Sequence, residues 1–62
     1  MNKAFFIYGK NKDMKRFQAV GRNDFVHKLF YAVMYENRED AYGDMVKLRK
    51  INPDITFEVR GR

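Results

Sequence analysis

The alternation of apolar and polar positions is clearest near the end of the chain, over residues 55–60. Successive side chains of a β-strand point to opposite sides, so a two-residue period is typical of a strand with one buried face and one wet face. Ile55, Phe57 and Val59 are the apolar members. The pattern predicts an edge strand over 55–60.

The preceding stretch has the spacing of a helix. Asn37 is a suitable N-cap for a helix over 38–51, and acidic residues early with basic residues late complement the helix dipole. Pro53 disfavours helical geometry at Asn52 and ends the helix there. The apolar side chains recur at three- and four-residue intervals and predict one broad buried stripe: Ala41, Tyr42, Met45, Val46, Leu48 and Ile51.

Two strands are predicted near the start of the chain, over 3–8 and, more weakly, over 15–20. The polar turn 9–13 joins them as a hairpin, and Gly9 ends the first strand. Both faces of that strand are apolar, which is typical of a central strand or of a strand covered on both sides. Alternation places Phe5 and Ile7 on one face and Ala4, Phe6 and Tyr8 on the other.

Residues 25–35 are compatible with two structures. Their apolar residues recur at helical spacing, and Asn23 or Asp24 could cap a helix. Their content of Phe, Tyr and Val favours a strand instead, clearest over 29–35. We favour the strand and keep the helix as the alternative. In the strand, Phe30, Ala32 and Met34 share one face and Leu29, Tyr31, Val33 and Tyr35 share the other.

These elements predict a single α+β domain over residues 1–62, with the order β-β-β-α-β and one helix packed on one face of a mostly antiparallel sheet. Helix and sheet must each bury an apolar face, which a two-layer domain achieves. The predicted core consists of Phe5, Ile7, Phe17, Phe30, Ala32, Met34, Met45, Leu48, Ile55, Phe57 and Val59.

Composition narrows the classes of function. The chain has no cysteine, which excludes disulfides and cysteine-based metal sites and fits a reducing compartment. The apolar run 29–35 is too short to cross a bilayer, and the first residues lack a signal-peptide pattern, so we expect a cytoplasmic protein. The net charge of +5 permits nucleic-acid or acidic protein partners.

Catalysis has little support in the sequence. His27 is the sole histidine, serine is absent, and Thr56 is the only threonine, so nucleophiles and general bases are scarce. The acidic residues around the helix start lack the loop spacing of a calcium site and complement the helix dipole instead. We therefore predict no enzyme, no catalytic residue, no metal site and no cofactor.

A basic hairpin is one candidate site. Lysine and arginine supply charge and donors for phosphate groups, although an exposed basic loop can also be merely solvated. The candidate nucleic-acid residues are Lys10, Lys12, Lys15, Arg16 and Arg22.

The helix-free face of the sheet is the other candidate. One helix cannot cover both faces, and an open aromatic patch is typical of an interface, unless loops and termini cover it. A protein partner or self-association is our first hypothesis, and nucleic-acid binding with base stacking is the second. The candidate partner-binding residues are Phe6, Tyr8, Tyr31, Val33 and Tyr35.

The C-terminal half carries a resemblance as well. The run Phe-Tyr-Ala-Val-Met-Tyr at 30–35, the helix start at 38–41 and Asn52-Pro53-Asp54 before the last strand resemble small uncharacterised proteins of phages and mobile elements of Gram-positive bacteria. The resemblance lies in a strand-helix-strand rhythm. It implies a host context and transfers no site residues.

Overall fold

Four antiparallel strands and one helix form the described part of the chain, which in this computed structural model comprises residues 4–22, 25–26 and 32–62. The strands lie in one sheet in the order β3-β2-β1-β4. This confirms the predicted α+β fold and the order β-β-β-α-β. The elements are β1 Phe5–Lys10, β2 Gln18–Val20, β3 Phe25–Val26, α1 Arg38–Ile51 and β4 Thr56–Gly61.

Strand β1 is central, as its two apolar faces predict. It pairs with β2 on one edge and with the whole of β4 on the other, from Phe5 opposite Gly61 to Lys10 opposite Thr56. Its middle residue Ile7 is only 2% exposed. The strand continues through Gly9, which the sequence interpretation took as its end, whereas β2 begins at Gln18 rather than at residue 15.

Helix α1 has the predicted bounds and packs against β1 and β4. Ala41 and Met45 are buried against Ile7, and Phe57 and Val59 of β4 pack around them. Asn37 precedes the helix in an extended conformation but makes no side-chain cap, since its amide donates to Asp40 Oδ2 instead. The predicted stripe was too broad, because three of its members are exposed: Tyr42, Val46 and Ile51.

The helix-free face carries a second core. Phe6, Tyr8 and Ala19 are buried there, with Phe17 and Ala32 packed against them. We predicted Phe17 and Ala32 on the helix side, which is wrong. The reason for Phe17 is the register of the hairpin: Tyr8 lies opposite Ala19, so these two side chains share a face, and Phe17 shares the face of Ala19.

The prediction of a continuous strand over 29–35 is wrong for the part of it that the structure describes, residues 32–35. Strand β3 is limited to Phe25–Val26, residues 32–34 form no strand, and Tyr35 makes a single bridge to Phe5. Strand β2 pairs with the same edge of β1 further along, at Tyr8 and Gly9, so the segment before the helix meets this edge at its other end, at Phe5. The helical alternative also fails for these residues. Phe30 and His27 lie in 27–31, outside the described residues.

The exposure of Met34 corrects a further core assignment. Its side chain is 61% exposed, although the sequence placed it in the core with Phe30 and Ala32. That placement assumed a strand over 32–34, and residues outside a ladder need not alternate between two faces.

Gly9 allows two aromatic rings to meet over the sheet. A Cβ atom added at Gly9 would lie 2.8 Å from Phe25 Cε1 and 3.0 Å from Phe57 Cε1. Atoms this close must move apart, and both obstacles are parts of half-buried rings. Glycine is therefore required for close packing here.

We predict that Gly9→Ala lowers the free energy of unfolding by about 1–3 kcal/mol, since overpacking a close contact costs that much. The matched control is Gly43→Ala in α1, where an added Cβ meets no described residue within 4 Å. Alanine favours a helix by up to about 1 kcal/mol over glycine, so the control should gain stability. Urea denaturation of dilute protein measures both. Equal effects at the two glycines would contradict the packing described for Gly9.

Candidate functional site

The predicted basic hairpin is formed and its tip is exposed. Asn11 organises the turn: its Oδ1 accepts a hydrogen bond from the Asp13 amide at 2.9 Å, and its carbonyl accepts one from the Met14 amide at 3.2 Å. Lys12, Lys15 and Arg16 are exposed and form no ion pair with another described residue. Their charge is therefore directed to solvent or to a ligand.

Arg22 does not belong to this cluster. Strands β1 and β2 are antiparallel, and Gln18 is paired with Gly9 near the hairpin. Arg22 follows the far end of β2 and is exposed there, where it lines cavities on the helix side together with Leu48. The structure brings together four of the five predicted basic residues and separates the fifth.

Arg60 lies on the helix-free face, although we had not included it in the site. Its guanidinium carbon lies 4.6 Å from the centre of the Tyr8 ring and 5.3 Å from that of Phe17, within the range of cation–π contacts. It also pairs with Glu58. The alternation of β4 predicted that Arg60 points away from the helix. Only the pairing of β4 with β1 shows which rings it covers.

The same face carries two further cations by the register of the ladder. Lys10 lies opposite Thr56 in the pairing of β1 with β4, two residues along from Tyr8. Arg62 extends the ladder beyond β4, exchanging backbone hydrogen bonds of 2.7 and 2.8 Å with Ala4. Lys10, Arg60 and Arg62 therefore share one face, on which Glu58 is the acidic residue of β4.

The predicted aromatic patch is not assembled in the described residues. Phe6 and Tyr8 lie on the helix-free face as predicted, but each is only 7% exposed because Phe17 and Arg60 cover that face. Val33 and Tyr35 lie on the helix side instead, where both line a cavity with Ile7. Tyr31 falls outside the described residues. Coverage of this face by loops and termini was the alternative expected from the sequence. Phe6 and Tyr8 are indeed covered.

Two adjoining cavities of about 120 and 370 Å³ lie between the helix and β2. They share the lining residues Val20, Gly21, Arg22 and Leu48. The larger one adds Asp44 and Lys47 at its rim. Among the described residues no group of three or more His, Cys, Asp or Glu side chains could hold a metal ion, so the cavities have no such site from this part of the chain.

Comparison with protein-family models, with curated proteins and with solved structures gives no match. The resemblance to phage and mobile-element proteins therefore stays a prediction. In the residues that the structure describes, no helix is both long and apolar enough to cross a membrane.

Tyr35 connects the segment before the helix to the helix itself. Its hydroxyl donates a hydrogen bond of 2.8 Å to Asp44 Oδ2. Burial of the phenol, followed by this hydrogen bond and the negative charge of Asp44, raises the pKa of Tyr35 to about 12. The neutral phenol is thus favoured in the folded protein, where it holds residue 35 against α1.

The raised pKa predicts a loss of stability at high pH. The ordinary tyrosine pKa is about 10, so the Tyr35 contribution is complete below pH 10 and is lost as the pH rises towards 12. Tyr35→Phe should cost about 1 kcal/mol near neutral pH, because it removes one hydrogen bond. The difference between wild type and variant should shrink between pH 10 and 12, measured by urea denaturation.

Tyr42→Phe is the matched control, since Tyr42 is exposed and its hydroxyl makes no hydrogen bond with a described residue. Its difference from wild type should not change across this range. A Tyr35→Phe difference that stays constant from pH 7 to 12 would contradict the assigned interaction with Asp44.

Proposed function

We propose that the protein is a small non-enzymatic nucleic-acid-binding module of the cytoplasm. The observation that carries this proposal is the group of exposed cations at the hairpin tip, Lys12, Lys15 and Arg16, with Asp13 as the acidic residue among them. Cations in this arrangement suit phosphate groups, whose neutralisation releases counterions. The net charge of +5 further promotes the encounter with a polyanion.

The hairpin and the sheet face form one continuous surface in this proposal. Phe17 follows Arg16 in the hairpin, and the Arg60 guanidinium lies 5.3 Å from the Phe17 ring. A phosphate backbone that contacts the hairpin tip can therefore reach Arg60 as well. Because the Glu58 carboxylate already pairs with Arg60, the hairpin residues should contribute more to the affinity.

The burial of the aromatic rings favours one part of the nucleic acid as the proposed ligand. Base stacking needs an open ring face, but Tyr8 is 7% exposed and lies under Arg60. Phosphate contacts fix the position of a protein without reading the sequence. We therefore propose binding to the backbone with little preference for sequence, in contrast to the base-stacking mode expected from the sequence.

A protein-interaction module is the second candidate function, and it was the first hypothesis from the sequence. Its predicted face is covered at Phe6 and Tyr8, but α1 offers another surface. Tyr42 and Val46 are one helical turn apart and each is 44% exposed. Neighbouring exposed apolar side chains favour contact with another protein.

The nucleic-acid proposal predicts a steep dependence of affinity on salt. Lys12→Ala and Arg16→Ala should each weaken binding to labelled DNA and RNA about equally for all sequences and flatten the slope of log affinity against log salt by about one unit. Fluorescence anisotropy at several salt concentrations measures this. Tyr8→Ala should instead lower the thermal midpoint, because the ring is part of a core.

Arg22→Ala is the matched control, since it removes the same charge from the far end of the sheet. It should retain most of the wild-type affinity and salt slope. Equal losses at Arg22 and Arg16 would indicate a response to net charge alone, and absence of binding at low salt would remove the proposal.

The interaction proposal predicts a contact at α1. A photo-crosslinking amino acid in place of Tyr42 should yield a covalent protein adduct in expressing cells, because the position lies at the proposed contact. The same amino acid in place of Asp13, an exposed hairpin residue, is the control and should yield none. No adduct from position 42, or equal adducts from both positions, would count against this function.

A further inference from the structure

The outward face of α1 has an internal symmetry that its packing on the sheet does not require. Helical spacing of 3.6 residues puts one line of side chains directly opposite the buried residues Ala41 and Met45. The line consists of Glu39, Gly43, Val46 and Lys50, all of them exposed.

The two ends of this line carry opposite charges. Glu39 and Asp40 lie in the first turn, and Arg49 and Lys50 lie in the last. None of these four residues forms an ion pair with another described residue. Their order complements the helix dipole, which explains the charges but not the glycine and valine between them.

Gly43 is unfavourable in the middle of an exposed helix unless something approaches it closely. It costs about 1 kcal/mol relative to alanine, and within the described residues a Cβ atom there would meet nothing within 4 Å. No contact within that part of the chain requires a glycine at this position. As far as the described residues go, the space above Gly43 is therefore open to a side chain from another molecule.

We propose that the outer face of α1 binds the same face of a second copy of this chain, with the two helices antiparallel. If the two-fold axis passes between Asp44 and Met45, each outward position of one helix lies opposite a complementary outward position of the other. Glu39 faces Lys50, and Val46 faces the space at Gly43. A two-fold axis repeats each contact, so the surface is complementary to itself.

Two features set the strength of this pairing. The helix has 14 residues and is about 21 Å long, so a contact between two such helices covers less than the roughly 1,200–2,000 Å² of a stable interface. The net charge of +5 on each copy opposes association. The dimer is therefore weak and depends on concentration. The inference rests on the interaction module proposed above and uses none of the hairpin residues.

Sedimentation equilibrium at about physiological salt, over a wide range of protein concentrations, tests the pairing. Wild type should change from monomer to dimer as the concentration rises. Glu39→Lys and Lys50→Glu, each alone, bring like charges together at two symmetric contacts and should raise the dimer Kd at least about tenfold. The double variant Glu39→Lys/Lys50→Glu restores opposite charges and the wild-type net charge, so it should regain most of the association.

Gly43→Leu supplies a second, uncharged test. Gly43 is exposed, and an added Cβ atom there meets no described residue within 4 Å, so circular dichroism and the thermal midpoint of dilute protein should show a folded helix. In the dimer it would fill the space that Val46 needs, and the Kd should rise at least about tenfold. Val46→Leu, which keeps an apolar side chain, should change the Kd less than Gly43→Leu.

Monomeric wild type at every concentration would overturn the pairing, as would a wild-type dimer that the single charge variants do not weaken. A double variant that remains as weak as the single variants would also overturn it. The crosslinking result at position 42 distinguishes a failure of self-pairing from a failure of the interaction module. If the chain is monomeric and position 42 yields an adduct with a different protein, self-pairing is overturned but the interaction module is retained. If there is neither an adduct nor a dimer, both proposals are removed.

Discussion

Strand β1 is buried on both faces, and this double burial shapes the arrangement of the other elements. Its odd-numbered residues face α1, and its even-numbered residues face a second core on the other side. A chain of 62 residues has little apolar surface to divide between two layers. The aromatic residues of β1 make this division workable because each covers a large area. Once Ile7 is fixed under the helix, Phe6 and Tyr8 must be covered by other parts of the chain.

That requirement decides what the helix-free face can bind. Phe17 from the hairpin and Arg60 from β4 cover the rings of the second core, so the outer layer becomes cationic rather than aromatic. The guanidinium of Arg60 serves two purposes, since it lies over the rings while the side chain remains partly exposed to water. A face of this kind suits phosphate groups better than bases. The same packing that stabilises the small sheet thus shapes the surface proposed for nucleic acid.

The helix separates two kinds of surface on one small domain. Its inner side contributes to the core through Ala41 and Met45, while the outer side carries the acidic and basic ends with Gly43 and Val46 between them. The hairpin and the outer helix face are built from different residues. The two proposed activities can therefore be altered independently, and a weak dimer would present two basic hairpins to one polyanion and increase its avidity.

Elements with local sequence signals were predicted correctly. The bounds of α1 follow from apolar spacing and from Pro53, and the buried face of β4 follows from strict alternation. The exposed basic hairpin was likewise predictable, because a polar turn between two strands must lie at the surface. The fold class followed from these local signals, since each amphipathic element needs a partner layer.

Features that depend on register and on which strands are neighbours emerge only in the folded protein. Phe17 was expected on the helix side and Tyr35 on the helix-free side, and each lies on the opposite side instead. Neither residue belongs to a clear alternation, so the pairing of its neighbours sets the face on which it lies. Arg60 reaches Tyr8 only because β4 pairs with β1, and Arg22 leaves the basic cluster because β2 runs away from the hairpin. Sequence periodicity gives the face of a residue within its own strand, whereas the partner strand and its register are long-range properties of the whole chain.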